Sequence, residues 1–152
     1  MIHNYVKLIG IILLGCLPPT LRAQEGLETE RLFDKYGEEK NVTRVELNGE
    51  ILKSYRMDTY KSLVFEDVTP FIREIEACLA KEVQATHVKK RQEVTRSGTL
   101  LSAYYQLTDV QRRGKVRKRY LLFKRGKDTM ATLIYIEGSL NETELMNMLY
   151  KK

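Results

Sequence analysis

Short turn sequences in the second half of the chain constrain its fold more than any other feature. From residue 88 onward the hydropathy pattern takes a period of two, and it is cut by Ser97-Gly98, Arg113-Gly114 and Gly126-Lys127-Asp128. Connections that short cannot carry a crossover, so the strands they join (88–95, 100–108, 116–124 and 129–137) must run antiparallel. Upstream the period is helical. Thr69-Pro70 reads as a helix start, with Thr69 as cap and Pro70 in the first position. Phe71, Ile72, Ile75, Cys78, Leu79 and Val83 then form one apolar stripe that fades near Ala85, while Glu74, Glu76, Lys81 and Glu82 fall off it.

The remaining segments fit the same class. Residues 25–40 are polar, with Leu27, Leu32 and Phe33 at near-helical spacing and a stop near Gly37. Residues 42–47 are β-branched and alternating, and 60–65 is a further strand. Between them Asn48-Gly49 opens either a hairpin or a short helix through Ile51, Leu52 and Tyr55, and the helix is the preferred reading. Asn141, followed by Glu144 three residues later, has the pattern of a capping box before Leu145, Met148 and Leu149. The expectation is an α+β domain: an antiparallel meander of about four to six strands with helices packed mainly on one face.

Residues 1–23 read as an address rather than as structure. His3 and Lys7 precede an apolar run, Pro18-Pro19 breaks it, and Leu21-Arg22-Ala23 sets a small residue before Gln24. That order is a secretory signal peptide cut between Ala23 and Gln24, and the run is shorter than the roughly 20 residues a membrane helix needs. The expected organisation is a signal at 1–23 and one domain at 24–152, exported to the periplasm or outer envelope. An alternative is a lipoprotein anchored through Cys16, because Leu13-Leu14-Gly15-Cys16 approaches a lipidation site. Removing 1–23 leaves a net charge of +4 and one thiol, Cys78, so no internal disulfide. With 43% hydrophobic and 30% charged residues, the domain needs neither disulfide nor metal to fold.

Catalytic signals are absent. His87 lies at a helix-to-strand junction, and Cys78 sits mid-stripe, where a thiol is a small hydrophobe. Glu28, Glu30, Asp34, Glu38 and Glu39 alternate with Arg31 and Lys35 as on a solvated helix face. No zinc-type ligand set and no phosphate loop are legible, so no catalytic residue, cofactor or metal is assigned. Carboxylates that meet only in space leave a hydrolase as the alternative.

The unusual surface feature is basic. Between 112 and 127 there are nine cations and no acid. Arg112, Arg113, Lys115, Arg117, Arg119, Lys124, Arg125 and Lys127 are the candidate contacts for an anion or partner. On a strand Lys115, Arg117 and Arg119 share one face, with Lys118 opposite, and a row of like charge calls for something negative over it. The protein's own acids, an acidic protein, an anionic lipid headgroup or an acidic glycan would serve. A solvated sheet edge that discourages aggregation is the competing explanation. Nucleic acid fits the charge, and interleaved Tyr104, Tyr105, Tyr120 and Tyr135 would suit stacking, but not in an exported protein.

A family resemblance adds to this reading. A Leu32-Phe33-Asp34-Lys35-Tyr36 helix is followed by Val42-Thr43-Arg44-Val45-Glu46-Leu47. Later comes Leu133-Ile134-Tyr135-Ile136-Glu137-Gly138-Ser139-Leu140 with Glu144-Leu145. Over about 32–146 the chain resembles a family of small exported proteins of unknown function from gut-type Gram-negative bacteria. The resemblance implies an α+β periplasmic domain and no activity, and this chain is more basic than such members. Asp128-Thr129-Met130, at an expected hairpin tip, resembles a motif glycosylated on threonine in exported proteins of those bacteria, which makes Thr129 a candidate modification site. The function expected is non-enzymatic binding or assembly in the periplasm or envelope, through the basic hairpin. A purely structural envelope protein is a further alternative.

Overall fold

A computed structural model describes residues 26–85 and 87–151. Cys16, Ala23 and Gln24 lie outside the described residues. Helix α1 (Glu30–Tyr36) leads into strand β1 (Val42–Asn48), short helix α2 (Glu50–Lys53) and strand β2 (Met57–Phe65). Helix α3 (Ile72–Gln84) then crosses to β3 (Val88–Arg96), β4 (Thr99–Leu107), β5 (Val110–Arg112), β6 (Lys115–Arg125) and β7 (Ala131–Gly138). Helix α4 (Glu142–Tyr150) follows. The strands form one antiparallel seven-stranded sheet of order β1-β2-β7-β6-β4-β3, with β5 added onto β6. The domain is α+β, as the turn spacing requires.

The turns work as read. Ser97 and Gly98 both have positive φ (51° and 74°), and so do Arg113 and Gly114 (51° and 76°). Arg96 pairs with Thr99 across the first turn, and Arg112 with Lys115 across the second. Two consecutive positive φ values match the right-handed twist of the flanking strands, and glycine adopts the second at no steric cost. Between β1 and β2 the helix reading holds, over Glu50–Lys53.

The sheet has two unequal cores. On the inner face Leu63, Leu133, Phe123 and Ala103 run in register across β2, β7, β6 and β4, beneath Phe33 of α1 and Ile75 of α3. The alternate residues face the other way. Tyr104, Tyr120 and Ile136 form a smaller cluster there with Leu52 of α2 and Leu145 of α4. Cys78 is fully buried in the larger core, and burial, reinforced by the nearby Glu82 charge, pushes its thiol up to about 12. All four tyrosines that interleave with the basic residues are buried, so none can stack on a base.

Two local readings need correction. Thr69 does not cap α3, whose N-cap is Phe71, without a side-chain bond. The Asp67 carboxylate instead accepts from the Thr69 N–H at 3.0 Å, and Thr69 holds that carboxyl below its usual range. The chain therefore makes one more turn, anchored by the Val68 N–H on the Thr129 carbonyl at 2.8 Å, before the helix begins. Glu82 is not on a solvated face but fully buried. Its Oε1 accepts from the backbone N–H of Thr29 (2.8 Å) and from the Thr29 hydroxyl (3.0 Å), and Oε2 lies 3.0 Å from His87 Nδ1. Residues 27–36 pack over α3 and widen its buried face beyond the apolar stripe. Replacing Glu82 by Ala strands both Thr29 donors, and a loss of about 2–3 kcal/mol in urea unfolding is expected.

The final helix starts as expected. Glu144 N–H donates to Asn141 Oδ1 (2.9 Å), and Asn141 N–H donates to Glu144 Oε2 (2.8 Å). The Asn141 N–H, helped by Arg56, holds the Glu144 carboxyl below the usual 4.5. A depressed folded value stabilises fully above the unfolded one and is lost as the pH falls through the folded one. Glu144→Gln should therefore flatten the fall in stability below pH 4.5 and lower the melting temperature at neutral pH.

Candidate functional site

The inner face of the sheet changes character along its length. In β2 the inward positions run Phe65, Leu63, Lys61, Thr59; in β7 they run Ala131, Leu133, Tyr135, Glu137; in β6 they run Phe123, Leu121, Arg119, Arg117. Register aligns the change, with Lys61 opposite Tyr135, and Glu137 between Thr59 and Arg119. In β1, Arg44, Glu46 and Asn48 sit opposite Leu63, Lys61 and Thr59. The apolar half is roofed by helices. The ionic half floors an open cavity of about 910 Å³, walled by the β5–β6 hairpin and reached by Glu30 and Asp34 of α1. Among the described residues its lining holds six cations and five carboxylates with Asn48 and Thr59, and no aliphatic or aromatic side chain.

Glu137 organises the floor. Only 3% exposed, it accepts from the Tyr135 hydroxyl at 2.7 Å on one oxygen and from Arg112 Nε at 2.9 Å on the other. Burial and the Glu137 charge raise the Tyr135 phenol far above its ordinary range, so it stays a donor. Arg119 is buried as well. Its Nε donates to the Thr108 carbonyl (2.8 Å) and Nη2 to the Thr108 hydroxyl (3.0 Å), which clasps the bend between β4 and β5. Arg117 Nε lies 2.7 Å from Asp58 Oδ2, and Arg44 Nη2 lies 3.0 Å from Glu46 Oε2.

The eight basic candidates therefore separate. Arg112, Arg113, Lys115 and Arg117 line the cavity together. Arg119 shares their face but lies beneath it as a strut. Arg125 is eight residues from Arg117, roughly 26 Å along a strand, and Lys124 faces the α4 side opposite Thr132 and Ser102. With Lys127 in the next turn, these three belong to the other end of the sheet. Lys89, Lys90 and Arg91 are on the far edge strand, each beside a carboxylate (Asp109, Glu142 and Glu93), and do not extend the patch. Thr129 is exposed just before β7, its hydroxyl 3.4 Å from the Glu66 carbonyl. The protein's own acids neutralise Arg112 and Arg117. Arg113 and Lys115 are exposed and have no ion pair among the described residues.

Sequence reasoning missed Lys61, Arg44, Asp58 and Glu137. A signal existed: Lys61 and Glu137 occupy the same parity as the core residues Leu63 and Leu133, so each is a charge at an inward position. The described residues contain no group of three or more His, Cys, Asp or Glu placed to hold a metal ion, and no helix long and apolar enough to cross a membrane.

The model of a family of unknown function, DUF6108, matches residues 16–149. The chain belongs to the DUF6108 family. No curated protein matches it. A solved structure of PA94, a protein of unknown function from Pseudomonas aeruginosa, is similar over 89% of this chain and 83% of its own, at 9% identity and a TM-score of 0.37. So distant a likeness carries no functional argument. For this DUF6108 domain the site must be argued from its own residues. Arg119→Met should cost about 1–3 kcal/mol in urea unfolding, because it leaves a half-buried carbonyl unpaired and strips a cation from beside Glu137. Arg113→Ala should stay within about 0.5 kcal/mol of the parent.

Proposed function

We propose that this protein is an exported, non-enzymatic binding or assembly protein of the bacterial periplasm or envelope, and that an anionic partner docks at the cavity mouth. The observation that carries the reading is the pair Arg113 and Lys115. Both are exposed and without a counter-ion among the described residues, Arg113 on the two-residue turn and Lys115 at the start of β6, at the rim of a cavity lined only by polar groups. Export rests on the order of residues 1–23. The same concavity would be required of a carboxylate-based hydrolase, but Glu137, Asp58 and Glu46 each already engage a cation. That favours binding over catalysis.

Protein recovered from cells, titrated with an acidic polysaccharide such as polygalacturonate, should bind in a salt-sensitive manner. Arg113→Glu with Lys115→Glu should weaken binding at least about tenfold, the equivalent of about 1.4 kcal/mol. Undiminished binding by the double variant, or none by the parent, would remove the docking assignment. An N-terminal mass beginning at Gln24 supports export, and one still beginning at Met1 contradicts it.

A further inference from the structure

The geometry points to Lys61 as the anchor of a binding site for the acid group of a sugar acid or a sulfated sugar, inside the cavity whose mouth Arg113 and Lys115 guard. This inference rests on the docking reading above and deepens it by naming the ligand chemistry. Lys61 is the least satisfied cation of the floor. Its side chain is 15% exposed, its nearest carboxylate oxygen is 4.0 Å away on Glu46, and it donates no hydrogen bond among the described residues. An ammonium carries three donors, and burying one without partners is unfavourable. The neighbouring cations are arranged differently. Arg112, Arg117 and Arg44 each have a carboxylate oxygen within 3.0 Å, so they are neutralised and fixed. Lys61 lines the cavity with its charge only loosely paired to Glu46.

The rest of the lining selects the ligand class. With no aliphatic or aromatic side chain, the cavity offers nothing to an acyl chain, which argues against a lipid tail. Six cations set against five carboxylates leave a formal excess of one positive charge, which suits a ligand with one acid group better than an acidic protein segment. A molecule with one acid group among many hydroxyls meets both conditions. Its acid takes the Lys61 donors, and its hydroxyls donate to Glu46 and Asp58 and bond with Asn48 and Thr59. The volume of about 910 Å³ is near the upper end for small-molecule sites and admits a short oligosaccharide rather than a single ring alone.

The test is calorimetric titration of protein recovered from cells with three probes: a trisaccharide carrying a single galacturonate, a monosulfated disaccharide, and an uncharged trisaccharide. Saturable binding of at least one acidic probe and none of the uncharged one is expected. Lys61→Met keeps the side-chain length and should lose at least tenfold in affinity, while Lys61→Arg should retain most of it. Urea unfolding of both variants confirms that they fold, so a loss confined to Met reads the charge. Equal affinity in Lys61→Met, or equal binding of the uncharged probe, would overturn the Lys61 assignment. If polygalacturonate binding still depends on Arg113 and Lys115 in that case, the docking reading stands without it. Loss of both dependencies would overturn the two together.

Discussion

A single buried carboxylate lies where the core of this domain ends and its cavity begins. Glu137 uses one oxygen for the Tyr135 hydroxyl, which belongs to the apolar core, and the other for Arg112, which belongs to the outlying hairpin. A charge so deeply buried is tolerable only when its lone pairs are satisfied, and both partners are required for that. The contact therefore ties β7, at the centre of the sheet, to β5, a three-residue strand with little apolar surface of its own. Arg119, clasping Thr108 at the bend, works from the other side of the same joint.

This arrangement explains how a row of like charge can persist on one sheet face. Lys115, Arg117 and Arg119 would repel one another in isolation. Asp58 draws Arg117 away, Arg119 turns to a backbone carbonyl, and Lys115 at the rim has no ion pair among the described residues. Apart from Lys124, Arg125 and Lys127 at the other end of the sheet, what looks from composition like a uniform basic ribbon is two sets of residues with different work. One set holds the hairpin in place over the cavity. The other, Arg113 and Lys115, faces solvent at its mouth.

Much of the fold was legible. The Ser97-Gly98 and Arg113-Gly114 turns, the α3 stripe and the Asn141 capping box depend on residues within a few positions of one another, and local chemistry decides them. What could not be read depends on distant partners. Glu82 falls off the apolar stripe and is buried all the same, because its partner Thr29 lies 53 residues earlier. Three-residue β5 has too few residues to show a period, and its pairing follows from the turn beside it. Of the eight basic candidates Arg112, Arg113, Lys115 and Arg117 stay together on the hairpin. The strand length that carries Lys124 and Arg125 away was present in the sequence, but a linear count of charges ignores it. The cavity floor is harder to see because Lys61 and Glu137 are inward charges only once the face of each strand is fixed by its pairing across the sheet.

The most direct measurement is amide hydrogen exchange on the parent and on Glu137→Gln, followed residue by residue. A neutral side chain at 137 keeps the shape but weakens the charged bond to Arg112, worth about 1.5–3 kcal/mol. Exchange of the paired amides in 110–117 should accelerate roughly 10- to 100-fold, while those of β2 and β7 next to Leu63 and Leu133 keep their protection. Unchanged protection of the hairpin, or equal loss across the whole sheet, would show that Glu137 does not hold the hairpin over the cavity.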